Sequence, residues 1–379
     1  MSVPAVLPAP MVDEGTLSPE EERYYLASQW RLIWWGLRRH RLAMGALWFL
    51  IGLYGIIPFV EFLSPYALRT RHPDHVYVPP QRVHLVDEGR WVGPFVYGHT
   101  MTINMETLKR EYEEDRSQIY RLRLLTRGEP YEMWGFWSSD LHLVGVEEGG
   151  TLYLLGTDRL GRDMLSRIVY GARVSLTIGL IGITVSFVLA LIFGGLSGYY
   201  GGKVDIVIQR AIEVLRSFPE LPLWMALSAA LPARWDPLVI YFGITIILGV
   251  IDWTGLARSV RGKLLALREE DFATAALLMG ASPAYVIRKH LLPSFTSHLI
   301  VSATLSLPRM ILGETALSFL GLGLRPPITS WGVLLSEAQN INAVALYPWL
   351  MLPVVMVVLS VLAFNFLGDG LRDAADPHA

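Results

Sequence analysis

Hydrophobic residues in this chain are concentrated in long runs with few charges, separated by polar and charged stretches. A helix that crosses a bilayer needs about 20 mostly apolar residues. Six runs meet this length and predict six membrane crossings, at residues 42–60, 174–199, 207–231, 238–256, 297–320 and 344–367. The third carries Arg210, Glu213 and Arg216, and the fifth carries Arg309 and Glu314. These side chains are predicted to face protein or water, because charge is costly in lipid.

The distribution of basic residues predicts how the crossings are oriented. Arg38, Arg39 and Arg41 precede the first run, and the connection between the fourth and fifth runs is also basic. Because cytoplasmic loops carry an excess of Lys and Arg, both segments are predicted to be cytoplasmic. Six crossings then return the C-terminus, with Arg372, to the same side. The first run is too long for a signal-peptide core and is followed by no small-residue cleavage site, so it is expected to be a retained anchor.

Five segments follow from this pattern. Residues 1–41 form a cytoplasmic N-terminal segment, disordered over about residues 1–29 and then interfacial around Trp30, Trp34 and Trp35. Residues 42–62 are the first membrane helix, and residues 63–155 form an extracytoplasmic subdomain with strand content. Residues 156–370 hold five further helices, and residues 371–379 are a cytoplasmic tail. The fold class is thus an all-α polytopic membrane protein with a small strand-containing outer subdomain.

Composition agrees with a membrane protein and excludes several functions. Hydrophobic residues make up 52% and charged residues 17% of 379, more apolar than an ordinary soluble domain. The formal net charge of -2 gives no indication of a nucleic-acid partner. With no cysteine, the chain has no disulfide, zinc thiolate site, iron–sulfur cluster or cysteine nucleophile.

The connection between the fourth and fifth runs predicts two short helices that meet at a glycine. The first spans residues 269–281: acidic residues, including Asp271, favour its start, and Gly280 suits the left-handed residue that closes a helix. Ser282 can then cap a second helix with Pro283 at its first position. Ala273, Ala276 and Gly280 recur at helical spacing, which indicates a face that another protein can approach closely. From the residues alone, a solvated cytoplasmic loop explains the same pattern equally well.

This connection resembles the coupling loop of ABC-importer permeases, which docks on an ATPase subunit. Its Glu-Ala-Ala, three residues, Gly pattern is matched at Ala275, Ala276 and Gly280, whereas Thr274 occupies the glutamate position. Asp271, one turn earlier, is the candidate to replace that polar contact. The resemblance assigns ATPase coupling to a set of eight residues: Asp271, Ala273, Thr274, Ala275, Ala276, Gly280, Ala281 and Ser282.

Other segments resemble the second, C-type permease of dipeptide, oligopeptide and nickel importers. They are residues 156–167, 171–176, 317–323, 326–327, 330–332 and 365–373, together with the N-terminal residues 30–50. Residues 64–150 lie outside the resemblance. It implies a type I importer fold of six helices, in the prokaryotic inner membrane, that forms half of a path for peptides or, alternatively, oligosaccharides or nickel chelates. The implied partners are a second permease, two ATPase subunits that hold ATP and Mg, and an extracytoplasmic solute-binding protein.

No catalytic, cofactor or metal site is expected on this chain. Residues 198–203 contain a Gly-Gly-Lys sequence, but its spacing does not fit a phosphate-binding loop, so it predicts a tight turn. A membrane enzyme needs a cluster of His, Asp, Glu or Ser on the crossings, which the sequence does not display. The set His72, Asp74, His75 and His84 is explained more simply by polar side chains that face water than by a metal site. Trp134 and Trp137 with Tyr131 are interpreted as the core of the outer subdomain, with a stacking or docking surface as the alternative.

Candidate path residues are Gln209, Glu213, Arg216 and Glu314. The first three share one face of the third run with Asp205, since they recur every three or four residues. Pairing of Glu213 and Arg216 with a neighbouring helix is at least as good an explanation as lining the path. Glu314 either lies near an outer gate or holds a helix contact. A stand-alone secondary transporter, with these carboxylates as relays, is the rival hypothesis, but it leaves the cytoplasmic helix pair without a purpose.

Overall fold

A computed structural model describes residue 27 and residues 29–105, 109–147, 149–232 and 234–375. The predicted disorder near the N-terminus and the last four residues of the predicted tail fall outside this part of the chain. The α-helices before the strands are α1 Gln29–Arg39, α2 Arg41–Ile56 and α3 Val60–Leu63. Those after the strands are α4 Met164–Tyr200, α5 Gly202–Ser217, α6 Glu220–Ala229, α7 Pro237–Leu267, α8 Asp271–Leu278, α9 Pro283–Val286, α10 Leu292–Ser294, α11 Thr296–Phe319, α12 Trp331–Glu337, α13 Ile341–Leu346 and α14 Leu352–Ala375. Short 3-10 turns lie at Ile57–Phe59, Pro73–His75 and Pro348–Met351, and a π-turn at Ile287–Leu291.

Helices α4 and α7 run side by side in the same direction and form the centre of the bundle. Two glycines of α4 allow this close approach: a Cβ added at Gly194 would lie 2.6 Å from the carbonyl oxygen of Ala257, and one at Gly198 would lie 2.9 Å from that of Arg261. Small residues at such contacts let helix backbones meet, which is the main source of packing in lipid. Since α4 and α7 are parallel, the chain between them must return across the bundle.

That return path corrects the third predicted crossing, which is not one continuous helix. Within residues 207–231, α5 ends at Ser217 and α6 begins at Glu220. Phe218 between them is extended, with φ -90° and ψ 140°. The cause is Pro219, which has no amide hydrogen for a helix bond and disfavours helical geometry in the residue before it.

Four helices among the described residues are long and apolar enough to cross a membrane. They are Arg41–Leu63, Met164–Tyr200, Pro237–Leu267 and Pro348–Ala375. A fifth is obtained if the pair Pro283–Ser294 and Thr296–Phe319, bent by 72°, is taken as one span. The prediction of six spans is therefore not confirmed, although the chain is a multi-helix membrane protein.

Two predicted spans also have different bounds. The second was placed at residues 174–199, but α4 begins at Met164, because Asp163 caps it and its charged residues are paired inside the protein. The last was placed at residues 344–367, but its helix is Leu352–Ala375. The apolar residues that precede it form α13 and a 3-10 turn that begins at Pro348.

The predicted strand content of residues 63–155 is present as one antiparallel meander. The sheet contains β1 His84–Asp87, β2 Arg90–Asn104, β3 Lys109–Met133 and β4 Trp137–Val146, in that order. Strand β3 is long enough to serve two neighbours: its first half pairs with β2 and its second half with β4. The meander lies at the end of the bundle where α2 ends and α4 begins, called the sheet end below.

The coupling end is the opposite end of the bundle. Here α1 meets the last turn of α14, since a Cβ on Gly36 would lie 2.9 Å from Ala374. Helix α7 ends here and α11 begins here, so α8 and α9 also lie at this end. The N-terminal helix, the connection between α7 and α11 and the end of α14 thus lie together at one end of the bundle, and the sheet lies at the other.

Candidate functional site

Helix α8 has the start and stop signals that its sequence predicts. It begins after Glu270 and ends in a pair of backbone bonds: the amide of Gly280 donates to Leu277 O at 2.9 Å, and the amide of Ala281 donates to Ala276 O at 3.1 Å. This is a Schellman turn, which requires a left-handed residue. Gly280 provides it with φ +87°. Ser282 then caps α9 by accepting from the amide of Tyr285 at 3.4 Å.

The face of α8 that turns inward is not the one expected for a partner. Ala273 and Ala276 are buried, 1% and 4% exposed, and they pack with Val286 in the core under the coupling end. The interpretation of these two alanines as a bare face open to another protein is therefore wrong. Their small side chains instead let α8 lie close to its own chain.

The outward surface of this segment is apolar. Phe272 is 43% exposed, Leu278 85% and Met279 82%. The remaining residues assigned to coupling are on the same surface: Asp271, Thr274, Ala275, Gly280 and Ser282 are exposed, and Ala281 is half-buried. We call residues 271–282 the coupling segment.

Two arginines attach the end of α7 to the neighbouring helices. Arg268, three residues before the coupling segment, donates to Tyr199 O at 3.1 Å at the end of α4. Two turns earlier, Arg261 makes two bonds to Asp205, Nε–Oδ1 at 2.6 Å and Nη2–Oδ2 at 2.5 Å. These bonds hold the pKa of the Asp205 carboxyl below its usual value. The end of α4, the start of α5 and the end of α7 are thereby connected just before the coupling segment.

The polar stripe predicted on the third run is divided between two environments. Gln209 faces inward with Asp205, and its Nε2 donates to Ser197 Oγ at 3.1 Å. Glu213 points outward and pairs with Arg210 of the same helix at 2.8 Å, rather than with a neighbouring helix. Arg216 is also exposed. The exposed part of α5 is therefore the part of the stripe still available to a solute or a partner.

Glu314 does not lie on an open path. It is 0% exposed and accepts hydrogen bonds from Ser318 at 2.8 Å, Ser330 at 2.5 Å and Ser175 at 3.3 Å. The assignment of Glu314 to the path is thus wrong, and its role in a helix contact is confirmed. Arg309 has a separate partner, Asp252, at 3.5 Å.

The contact that Glu314 holds is the short helix α12, which lies between α4 and α11. Ser330 caps α12 by accepting from Val333 N at 3.1 Å while its hydroxyl donates to Glu314. Trp331 is fully buried, and its indole nitrogen donates to Ile168 O at 3.2 Å. Ser175 completes the arrangement by accepting from the Trp331 amide at 3.1 Å.

A buried ion cluster at the sheet end secures the other end of α12. Arg167 binds Glu337 through Nη1 at 2.8 Å and Nη2 at 3.0 Å, and it binds Asp158 at 2.6 Å. Arg162 contacts the same two carboxylates at 2.7 Å and 2.8 Å. Two cations and two anions therefore balance within a water-poor site. The two arginines lie in residues 156–167, one of the segments that resemble importer permeases. No local signal in the sequence points to Glu337, because 170 residues separate it from Arg167.

The aromatic residues of the sheet have different roles from the predicted shared core. Tyr131 is 8% exposed, but Trp134 is 52% and Trp137 66% exposed. His72 and His75 pack against the ring of Tyr153 at 5.9 Å and 5.5 Å. Within the described ranges, no group of three or more metal-ligating residues is positioned to hold an ion.

Comparison with protein families gives two matches, one over the second half of the chain and one over the first membrane span and its flanks. Residues 186–379 match the family described as binding-protein-dependent transport system inner membrane component. Residues 28–80 match the N-terminal TM domain of oligopeptide transport permease C. The chain belongs to the first family. It is thus the membrane-embedded permease of a binding-protein-dependent ABC transporter, as the resemblance implied.

Curated relatives of this permease carry related names. It is 41% identical over 226 residues to the oligopeptide transport system permease protein OppC of Haemophilus influenzae, covering 59% of this chain and 70% of that protein. It is 38% identical over 222 residues to the dipeptide transport system permease protein DppC of Bacillus subtilis, covering 59% and 68%. A putative peptide permease protein of Brucella suis is 33% identical over 274 residues, covering 70% and 88%.

Among solved structures, the permease is similar to a chain of the MetNI methionine ABC transporter in an inward-facing conformation. The TM-score is 0.45 at 21% identity, with 56% of this permease and 97% of that chain covered.

Proposed function

We propose that this permease forms one half of a translocation path for peptides and couples that path to ATP hydrolysis on partner subunits. Two of the relatives named above are called oligopeptide and dipeptide permeases. The observation that carries the coupling part is the exposed apolar end of the coupling segment, where Leu278 and Met279 are 85% and 82% exposed. Such residues are costly in water and typical of a surface covered by another protein.

The proposed complex contains this chain, a second permease, two ATPase subunits and an extracytoplasmic solute-binding protein. The coupling end is basic and faces the cytoplasm in this proposal, with the N- and C-termini on the same side. ATP and Mg belong to the ATPase subunits, and this chain contributes no catalytic group. The exposed residues Glu213 and Arg216 of α5 are the proposed contribution to the path, with Gln209 beside them at the inner surface.

Force would pass from the ATPase to the bundle through few bonds. When the ATPase subunits close on ATP, they displace α8, which is packed on its own core through Ala273 and Ala276. Arg268 transmits the displacement to the end of α4, and Arg261 transmits it to α5. Helices α4, α5 and α7 then move together, which turns an inward-facing path into an outward-facing one.

The coupling part is tested by placing charge on the exposed end of α8. Leu278→Glu and Met279→Glu are expected to abolish ATP-driven uptake of a labelled peptide in proteoliposomes and to reduce ATPase recovery when the tagged permease is purified in mild detergent. Met105→Glu is the matched control, because Met105 is also 85% exposed but lies on the sheet. Full uptake and ATPase recovery in both α8 variants would contradict the coupling assignment.

The peptide part needs its own test. ATPase activity of the reconstituted complex, with its binding protein, is measured against a peptide mixture, oligosaccharides and a nickel chelate. Stimulation by peptides alone is the expected result. Stimulation by one of the other solutes would replace the substrate class while leaving the importer assignment intact. A stand-alone transporter is indicated if no ATPase and no second permease copurify with the chain.

A further inference from the structure

The turn between β3 and β4 touches the membrane bundle at the end of α2. The indole nitrogen of Trp134 donates a hydrogen bond to Pro58 O at 3.1 Å. The guanidinium of Arg173, on α4, lies 4.6 Å from the centre of the Trp134 ring, within the range of a cation–π contact. We call residues 134–137 the hairpin tip.

The backbone of the hairpin tip is held in an uncommon conformation. Trp134 has φ +57° and Gly135 has φ +75°, and the amide of Phe136 donates to Met133 O at 3.3 Å. Glycine adopts positive φ readily, but a bulky residue such as tryptophan rarely does. Residues kept in such regions are usually held there by their surroundings. Here the surroundings are Pro58 and Arg173, and these two contacts hold the tip against the bundle.

The same region is secured by further bonds. Arg173 forms two bonds of 2.6 Å with Glu61 and a third, through Nε, with Ile57 O at 3.1 Å. On the hairpin itself, His142 is buried with its Nδ1 2.6 Å from Ser64 O. The sheet is therefore attached to α2 and α4 at the level of the tip, not suspended on a free linker.

Beside these bonds, the tip presents unpaired aromatic surface. Phe136 is 82% exposed and Trp137 66% exposed. They lie two and three residues after Trp134, whose indole is bonded to the end of the first membrane span. On that span, Phe59 is 53% and Ile51 50% exposed. The exposed side of the span has to face lipid or a partner helix, since the span is apolar along its length.

The depth of the tip fits the edge of the bilayer. Pro58 follows Arg41 by 17 positions in the helical span, which corresponds to about 26 Å of rise. The hydrocarbon core is about 30 Å thick. If Arg41 lies at one boundary, Pro58 and the tip lie at the other. At the Arg41 end, Trp30, Trp34 and Trp35 are also exposed, and tryptophan is enriched at both membrane–water interfaces.

We propose that the hairpin tip is a lipid anchor: Phe136 and Trp137 insert into the interfacial layer of the bilayer at the sheet end, while Trp134 attaches the hairpin to α2 and α4. The occupant of this surface is the bilayer, because the tip is bonded to the end of a membrane span and lies at interfacial depth. A consequence is that the sheet stands at a fixed height and tilt above the membrane.

The chain contains no cysteine, which allows a direct test by single spin labels. Phe136→Cys and Trp137→Cys are labelled with a nitroxide in the full transporter, assembled with cysteine-free partner subunits in lipid nanodiscs. Collision rates are measured with oxygen, which concentrates in lipid, and with a neutral nickel chelate, which stays in water. Met105→Cys, 85% exposed at the end of β2, is the matched control on the same sheet.

The expected result is a ratio of oxygen to nickel collisions several-fold higher at positions 136 and 137 than at position 105. Equal ratios at the three positions would overturn the proposal, because the tip would then be in water. Protection of 136 and 137 from both reagents would also overturn it, because another protein would then cover the tip. Both substituted residues are exposed, so both variants are expected to assemble normally. Peptide-stimulated ATPase activity checks this before labelling.

Discussion

Arg167 and Glu337 lie 170 residues apart in the chain and meet in a two-bond ion pair of 2.8 Å and 3.0 Å at the sheet end. The pair joins the first turn of α4 to the last residue of α12, and Asp158 and Arg162 complete the cluster. Because all four side chains are largely buried, loss of one leaves an uncompensated charge in a site with little water. The cluster therefore fixes where α12 can lie.

Replacement of Glu337 by glutamine is expected to lower the free energy of unfolding of the permease by about 3–5 kcal/mol, the range for a broken buried ion pair. Thermal unfolding in detergent measures it. Glu269→Gln is the control: Glu269 is 76% exposed and lies 3.4 Å from Arg268, so its loss should cost less than about 1 kcal/mol. Equal losses of unfolding free energy in the two variants would contradict the role of a buried ion cluster in holding α12.

Ser330→Ala removes two bonds from one hydroxyl, the cap of α12 and the contact with Glu314. The expected result is a loss of about 2 kcal/mol and faster hydrogen exchange confined to residues 331–337. Hydrogen exchange with mass spectrometry reports the location. Ser217→Ala, at an exposed serine whose hydroxyl donates to Val214 O of its own helix, should leave exchange in α12 unchanged. Unchanged exchange in Ser330→Ala would contradict the role assigned to this serine.

Gly280→Leu is expected to uncouple ATP hydrolysis from transport while the membrane helices still assemble. A Cβ added at Gly280 would have no described atom beyond its chain neighbours within 4 Å, so the expected effects of leucine are the left-handed backbone, at about 1–2 kcal/mol, and bulk on the outer surface of the coupling segment. Uptake and ATPase activity are measured in parallel. Gly89→Leu is matched closely, with φ +81° and equally open space in the sheet, and should retain transport. Normal uptake in Gly280→Leu removes Gly280 from the coupling surface.

Asp163 gives the permease a specific pH dependence. Burial raises the pKa of this carboxyl from 3.8 to about 6, although the amide and hydroxyl of Ser166 both donate to it. A raised pKa means that the folded state favours the protonated form. The contribution of Asp163 to the free energy of unfolding is therefore fully present below about pH 4 and is lost as the pH rises through about 6.

Asp163→Asn retains a capping oxygen for Ser166 but does not titrate. The stability of this variant relative to the natural protein is therefore expected to increase by on the order of 3 kcal/mol between pH 4 and pH 7 and to stay level above pH 7. Thermal unfolding of the two proteins across this range checks it. A difference that is constant with pH would mean that Asp163 titrates near its ordinary value.

Local signals in the sequence were sufficient for the coupling segment and insufficient for the polar contacts of the bundle. Gly280 and Ser282 act through neighbouring backbone, so their positions predict the turn and the cap. The burial of Ala273 depends instead on residues such as Leu264 and Val286 that pack against it in three dimensions. A helical face of small residues has the same sequence pattern whether it packs against its own chain or against a partner.

The same limit explains the errors in the spans. Hydropathy treated Arg167 and Arg173 as the end of a membrane segment, but both are neutralised by distant carboxylates and α4 continues through them. Pro219, in contrast, interrupts the third segment through a local effect on the residue before it. Long-range ion pairs thus make α4 longer than the predicted second crossing, and a local break divides the predicted third crossing into α5 and α6.

The contacts around Arg173 also determine when this part of the molecule can be completed during synthesis. Glu61 leaves the ribosome 112 residues before its partner Arg173. Chains are made and fold from the N-terminus. The first span, the whole sheet and the start of α4 must therefore all have been synthesised before the carboxylate can be neutralised. A nascent chain that stops before residue 173 lacks the guanidinium that both pairs with Glu61 and lies over the ring of Trp134.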